Sequence, residues 1–77
     1  MIQELDIVVL TRDVKEYGLR QDDVGAVVHC YQNNQAFEVE FVTGEGTTVA
    51  LLTLTPNDVR PMRQREILSV REVALAA

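Results

Sequence analysis

The 77-residue chain has no tryptophan, one cysteine, one histidine, two prolines and two phenylalanines. Each shortage excludes something. A lone thiol, Cys30, cannot close an intrachain disulfide or build a multi-cysteine zinc site, and it suits a reducing compartment. A lone imidazole, His29, leaves no second histidine to complete a metal centre, so no metal and no cofactor are expected. With so little aromatic bulk, the core must come from Val, Leu and Ile. The apolar run Ile7–Leu10 is too short for a signal sequence or a membrane span. Glu4 and Asp6 also stand where a secretory signal needs positive charge, so a cytoplasmic location with no membrane partner is expected.

Basic residues are scarce as well: seven Lys plus Arg face twelve Asp plus Glu, a net charge of −5. The imbalance is uneven. Residues 1–62 carry ten acids against four bases, whereas residues 63–77 carry Arg63, Arg65 and Arg71 against Glu66 and Glu72. Nucleic-acid affinity comes largely from cations that displace condensed counterions, so a net-negative body repels phosphate backbones. A basic protein is the complementary partner. A chain of this length buries only about 60–65% of its unfolded surface. One domain with a stability of about 5 kcal/mol is expected, without a deep cavity for both a cofactor and a substrate.

What is present is the pattern of short strands. DIVVL (6–10) is β-branched and apolar, as in a strand buried on parts of both faces. VGAVVHCY (24–31) is a second strand, in which Gly25 signals a bulge or the close approach of another backbone. AFEVEFV (36–42) alternates cleanly, with Phe37, Val39 and Phe41 inward and Glu38 and Glu40 outward. TTVALLTL (47–54) and the short VRPM (59–62) complete five strands. QNNQ (32–35) and TGEG (43–46) are turns. Residues 11–23 form a long polar loop with a half-turn near Tyr17–Leu19, and TPNDV (55–59) forms a single helical turn.

This order predicts a mainly β fold: a small five-stranded SH3-like barrel over residues 1–62, closed so that few edges are exposed. The alternative is an open antiparallel sheet with a C-terminal helix on it. Residues 63–77 form a tail or a short amphipathic helix, since Ile67, Val70 and Ala74 recur at i, i+3 and i+7 among good helix formers. At about a dozen residues such a helix is marginal alone in water and must pack on something.

The succession VVL, YGL, D-VG-VV, EVEFV and VRP over residues 4–61 resembles a family of short, uncharacterised bacterial proteins described only as a domain of unknown function. More distantly, DDVGAVVHCY is similar to the glycine-centred turn and strand of KOW-type and other SH3-like barrels. The resemblance implies an SH3-like barrel and brings no catalytic residues. Small proteins of this sort are often encoded beside a larger partner, which implies an antitoxin, immunity or accessory role.

Groups that could carry chemistry are scattered by the strand alternation. Asp22 and Asp23 could serve as paired general acid and base only if they faced one cleft, and neighbours entering a strand point to opposite sides. The same argument separates His29 from Cys30 as a thiolate–imidazole pair. Cys30, in phase with Val24, Ala26 and Val28, reads as a small buried hydrophobe, and His29 as a cap on the core near one barrel mouth. An RNA-binding stripe is cancelled around Tyr17, where Arg12, Lys15 and Arg20 face Asp13, Glu16, Asp22 and Asp23.

A non-enzymatic protein-binding module is therefore expected. Arg12, Tyr17, Leu19 and Arg20 of the long loop, with Ile67, Val70 and Leu75 of the C-terminal segment, are the candidate contact residues, Tyr and Arg being enriched at interface hot spots. The competing reading of Tyr17 and Leu19 is that they fold back and plug the barrel mouth. The alternatives for function are an RNA- or ribosome-associated module and a homodimer formed through the tail.

Overall fold

A computed structural model describes residues 1–74. Its five strands are β1 (Ile7–Leu10), β2 (Val24–Cys30), β3 (Phe37–Val42), β4 (Thr48–Leu54) and β5 (Val59–Pro61), each within two residues of its expected bounds. They form one antiparallel sheet in the order β4-β3-β2-β1-β5. The strand order and the long loop after β1 are consistent with an SH3-like fold. The expected closure is absent: β4 and β5 are the two sheet edges and do not pair with each other. A three-residue β5 ending in Pro61, which has no backbone N–H, offers too little ladder to bridge the gap.

Burial follows the alternation of β3, where Phe37, Val39 and Phe41 are buried and Glu38 and Glu40 are not. The outer row is tied by hydrogen bonds. Glu38 accepts from Tyr31 Oη (3.2 Å) and from Thr53 Oγ1, and Glu40 accepts from Thr48 Oγ1 (2.8 Å). Val27 of β2, Val8 and Leu10 of β1, and Leu54 of β4 complete the centre of the core. Val9 is equally buried but lies on the opposite face of β1, outside that cluster. With Val24, Met62 and Ile67 it lines a shallow cleft of about 280 Å³. The tail thus crosses the outer face of the sheet, and β1 is buried on both faces as its composition predicts.

β2 breaks the simple alternation. Val27 pairs with Val39, but His29 pairs with Glu38, so the register shifts between them. An extra residue in one strand turns two consecutive side chains the same way, and Val28 and His29 both face solvent. The inward set is Gly25 and Val27 before the bulge and Cys30 after it. This corrects two expectations: Val24, Ala26 and Val28 do not share the inward face with Cys30, and His29 does not cap the core.

Of the two forms expected for the C-terminal segment, a tail or a short amphipathic helix, the described residues take the first. Residues 63–74 contain one turn at Gln64–Arg65 and no helix. Ser69, Val70 and Val73 are weaker helix formers than Ala or Leu, and a helix of a dozen residues gains few hydrogen bonds for its nucleation cost. Two arginine–carboxylate pairs, described below, hold the segment extended instead.

Candidate functional site: the loop and tail face

The long loop is folded onto the body. Val14 and Leu19 exchange backbone hydrogen bonds (2.9 and 3.1 Å) across a 3-10 turn at Lys15–Tyr17. Gly18 closes that turn at φ 69°, a left-handed angle that glycine adopts without steric cost. Both Val14 and Leu19 are buried in the core. Leu19 therefore folds inward and anchors the loop, whereas Tyr17 at its tip stays 43% exposed. Tyr17 and Leu19, both candidate contact residues, thus differ: one is exposed and the other is buried.

Arg12 is tied to the β4–β5 turn: its Nε donates to Asp58 Oδ1 at 2.8 Å, and Thr11 Oγ1 donates to Asn57 O at 2.6 Å. Asp58 also accepts from the Thr55 N–H and hydroxyl (2.9 and 3.0 Å). Burial pushes the Asp58 carboxyl up, yet the hydrogen bonds from Arg12 and Thr55 outweigh it and hold the group below its ordinary value. Arg12 acts here as a staple between loop and turn. The Arg20 side chain is exposed, and its backbone N–H donates to Asp23 Oδ2 at 2.7 Å.

The tail is pinned at two points. Arg60 forms a two-pronged pair with Glu66, Nη1 to Oε1 at 2.8 Å and Nη2 to Oε2 at 2.6 Å. The Arg63 N–H adds a third donor to that carboxylate at 2.7 Å. Further on, Arg71 donates from Nε to Asp23 Oδ1 (2.9 Å), from Nη2 to Asp23 Oδ2, and from Nη2 to the Gly18 carbonyl (3.0 Å). Burial acts to raise the Asp23 pKa, but Arg71 and the Arg20 N–H lower it by more, so the carboxyl sits below its ordinary range. Between these pins Ile67, Leu68 and Val70 are 87%, 65% and 96% exposed. Leu75 lies outside the described residues.

A cleft of about 630 Å³ opens between the end of the long loop, the β3–β4 turn and the tail. Val24, Phe41, Val42 and Val49 give it apolar walls, and Asp22, Asp23 and Glu45 give it an acidic rim. Strand alternation at Asp22 and Asp23 says nothing of the pairing between Asp23 and Arg71. The one available signal was the change in charge sign between body and tail, which fits a basic tail docking on an acidic body.

The remaining candidates lie elsewhere. His29 Nδ1 is 3.5 Å from a Glu4 carboxylate oxygen, and its ring meets Tyr31 edge-on at 4.8 Å between centroids. The Cys30 Sγ is 3.8 Å from the Ile2 carbonyl. Among the described residues no three His, Cys, Asp or Glu gather as a metal-binding group, and no helix is long and apolar enough to cross a membrane.

Two predictions follow from these groups. Hydrogen bonds from Arg60 and the Arg63 N–H lower the Glu66 carboxyl from 4.5 to about 2. A depressed carboxylate stabilises the folded form fully above its ordinary value, and loses that contribution as pH falls through the folded one. The Arg60–Glu66 pin is therefore intact above pH 4.5 and released as pH approaches 2. An NMR titration of the Glu66 carboxyl should show its midpoint rise toward 4.5 in Arg60→Ala; an unchanged midpoint would refute the assignment. For Cys30, burial and then the charges of Glu4 and Asp6 push the thiol up. Because the thiolate is the nucleophile, iodoacetamide at pH 8 should modify Cys30 more slowly than a free thiol. A rate equal to that of the free thiol would contradict this environment.

Fold and cleft together define a small all-β domain, an open five-stranded sheet consistent with an SH3-like fold and crossed by its own tail. Comparison with known families gives the particular one. The family model Domain of unknown function (DUF4926) matches residues 4–61, and the chain belongs to that family. No curated protein and no solved structure matches it.

Proposed function

We propose that this protein is a non-catalytic, cytoplasmic module that binds another protein through its loop and tail face, in an antitoxin, immunity or accessory role toward a basic partner encoded nearby. The observation that carries the proposal is the pinned tail. Ile67, Leu68 and Val70 stand in water on a segment tied to the body by the Arg60–Glu66 and Arg71–Asp23 pairs, and a partner that covers them removes that apolar surface from water. The acidic rim of Asp22, Asp23 and Glu45 lies beside the tail, and a net charge of −5 favours a cationic partner. RNA is the weaker alternative, because Arg12, Arg60 and Arg71 are each already paired with a carboxylate.

The test is co-purification with the neighbouring gene product at low and moderate salt. Ile67→Asp should abolish the complex while leaving the fold intact, since that side chain is 87% exposed. Absence of a complex with the unaltered chain at both salt levels would count against the proposal.

A second reading, self-association, rests on a different observation. Edge strand β4, Thr48–Leu54, carries no charge and no proline, the devices that usually protect an edge from pairing. Leu51→Lys should then convert a dimer to a monomer in light scattering; a monomeric unaltered chain removes this reading.

A further inference from the structure

We infer that the Asp23–Gly18 seat beside the cleft is a receptor for an extended partner segment bearing an arginine between aliphatic residues, and that Arg71 occupies it in cis, with Ser69–Val73 as one wall of the cleft, until such a segment displaces it. This rests on the protein-binding reading and specifies what one part of that face recognises.

The seat for the guanidinium is built by the loop itself. Asp23 is oriented by the Arg20 N–H, and the Gly18 carbonyl by the left-handed turn that the Val14–Leu19 bridge closes. Both acceptors belong to the loop, so the seat does not depend on the tail for its shape. A planar guanidinium meets this arrangement with three hydrogen bonds, including the two-pronged contact to carboxylate that arginine makes and lysine cannot. Val24, Phe41 and Val49 form an apolar floor beside it, and the acidic rim favours a cation.

The occupant, by contrast, is weakly held. Among the described residues, no backbone group of residues 67–74 hydrogen-bonds to the backbone of the body. The polar hold of this stretch on the body comes from the Arg71 side chain alone. Val73 adds an apolar contact beside Gly18. A built seat with a single-residue plug is a site from which a segment of the same chemistry can displace the plug. Occupation in cis lowers the apparent affinity for the incoming segment by the fraction of chains that are open.

The probe is a labelled peptide of residues 66–74, titrated into the full chain and into full-chain Arg71→Ala. Arg71→Ala should bind the peptide at least about tenfold more tightly than the unaltered chain, because its guanidinium seat is vacated. Adding Asp23→Asn, or replacing the peptide's own arginine by alanine, should abolish binding. Equal affinity for the two chains, or no binding to a folded Arg71→Ala, overturns the inference. So does a dimer with exchanged tails, seen as doubled mass on light scattering, because the occupant would then be a second copy. A natural partner lost through Ile67→Asp but indifferent to Arg71→Ala and Asp23→Asn would leave the broader reading standing and remove this one.

Discussion

Phe37→Ala should strip the fold of most of its stability at 25 °C and leave it at the margin of unfolding. Phe37 is 2% exposed and is among the largest fully buried side chains of the protein. It sits on β3 between Cys30 of β2 and Leu54 of β4, where the core cluster is built from only two phenylalanines and aliphatic residues. Replacing a buried phenylalanine by alanine costs about 3–5 kcal/mol in lost transfer energy and residual cavity. The whole domain holds about 5 kcal/mol, so one truncation consumes most of it. Phe37→Leu, which keeps most of the volume, should cost about 1–2 kcal/mol and remain folded. Urea titration followed by far-ultraviolet dichroism separates the two. A loss below about 1 kcal/mol for Phe37→Ala would mean that the site collapses without a cavity and that the core is not centred there.

The strands were legible in the sequence because each is specified locally. Alternation in FEVEFV needs no knowledge of partners, and the QNNQ turn is marked by Asn33 and Asn34, which adopt φ 59° and 54°. What escaped the sequence depends on contacts between distant residues or on a phase change within a strand. The β2 bulge is visible only in the pairing of Val27 and His29 with β3, and it turns His29 out and Cys30 in. The tail shows the same limit from the other side. Its 3.6-residue apolar spacing is helical in isolation, yet Arg71 finds Asp23 forty-eight residues away, and that bond wins over a marginal helix. The candidate site was half legible for this reason. Tyr17, Ile67 and Val70 are exposed, Leu19 belongs to the core instead, and the pair that organises the cleft could not be inferred from either partner's neighbours.

Gly25→Val should be the most damaging single addition of atoms to the protein. The sequence offered two reasons for a glycine at this point of β2, a bulge or a close approach, and the bulge lies further on between Val27 and His29. The close approach is the operative one. A Cβ on residue 25 would stand 2.7 Å from Val39 Cγ1, 2.8 Å from Phe41 Cε2 and 3.0 Å from the Glu40 carbonyl. Two of these neighbours are buried side chains of β3 and the third is its backbone, so none can swing away freely. Overpacking a core costs about 1–3 kcal/mol for Gly25→Ala, and the two further methyl groups of valine should exceed that range. For a domain of this size, each kcal/mol lowers the melting temperature by about 4–8 °C, so even Gly25→Ala should lose at least about 5 °C. Relief of the clash can be separated from general damage by a double-mutant cycle with Val39→Ala. If Val39 Cγ1 is the obstacle, the double variant should lose about 1 kcal/mol less than the sum of the single losses; simple additivity would show that β3 yields as a unit. The cleft should register the change as well. Asp23 and Val24 immediately precede Gly25, so pushing β2 away from β3 shifts both the seat of Arg71 and one apolar wall. Gly25→Ala should therefore weaken tail docking at temperatures where its sheet is still intact, read by NMR as a rise of the Asp23 carboxyl midpoint toward its ordinary value as Arg71 withdraws; an unchanged midpoint would show that the loop holds its seat independently of β2.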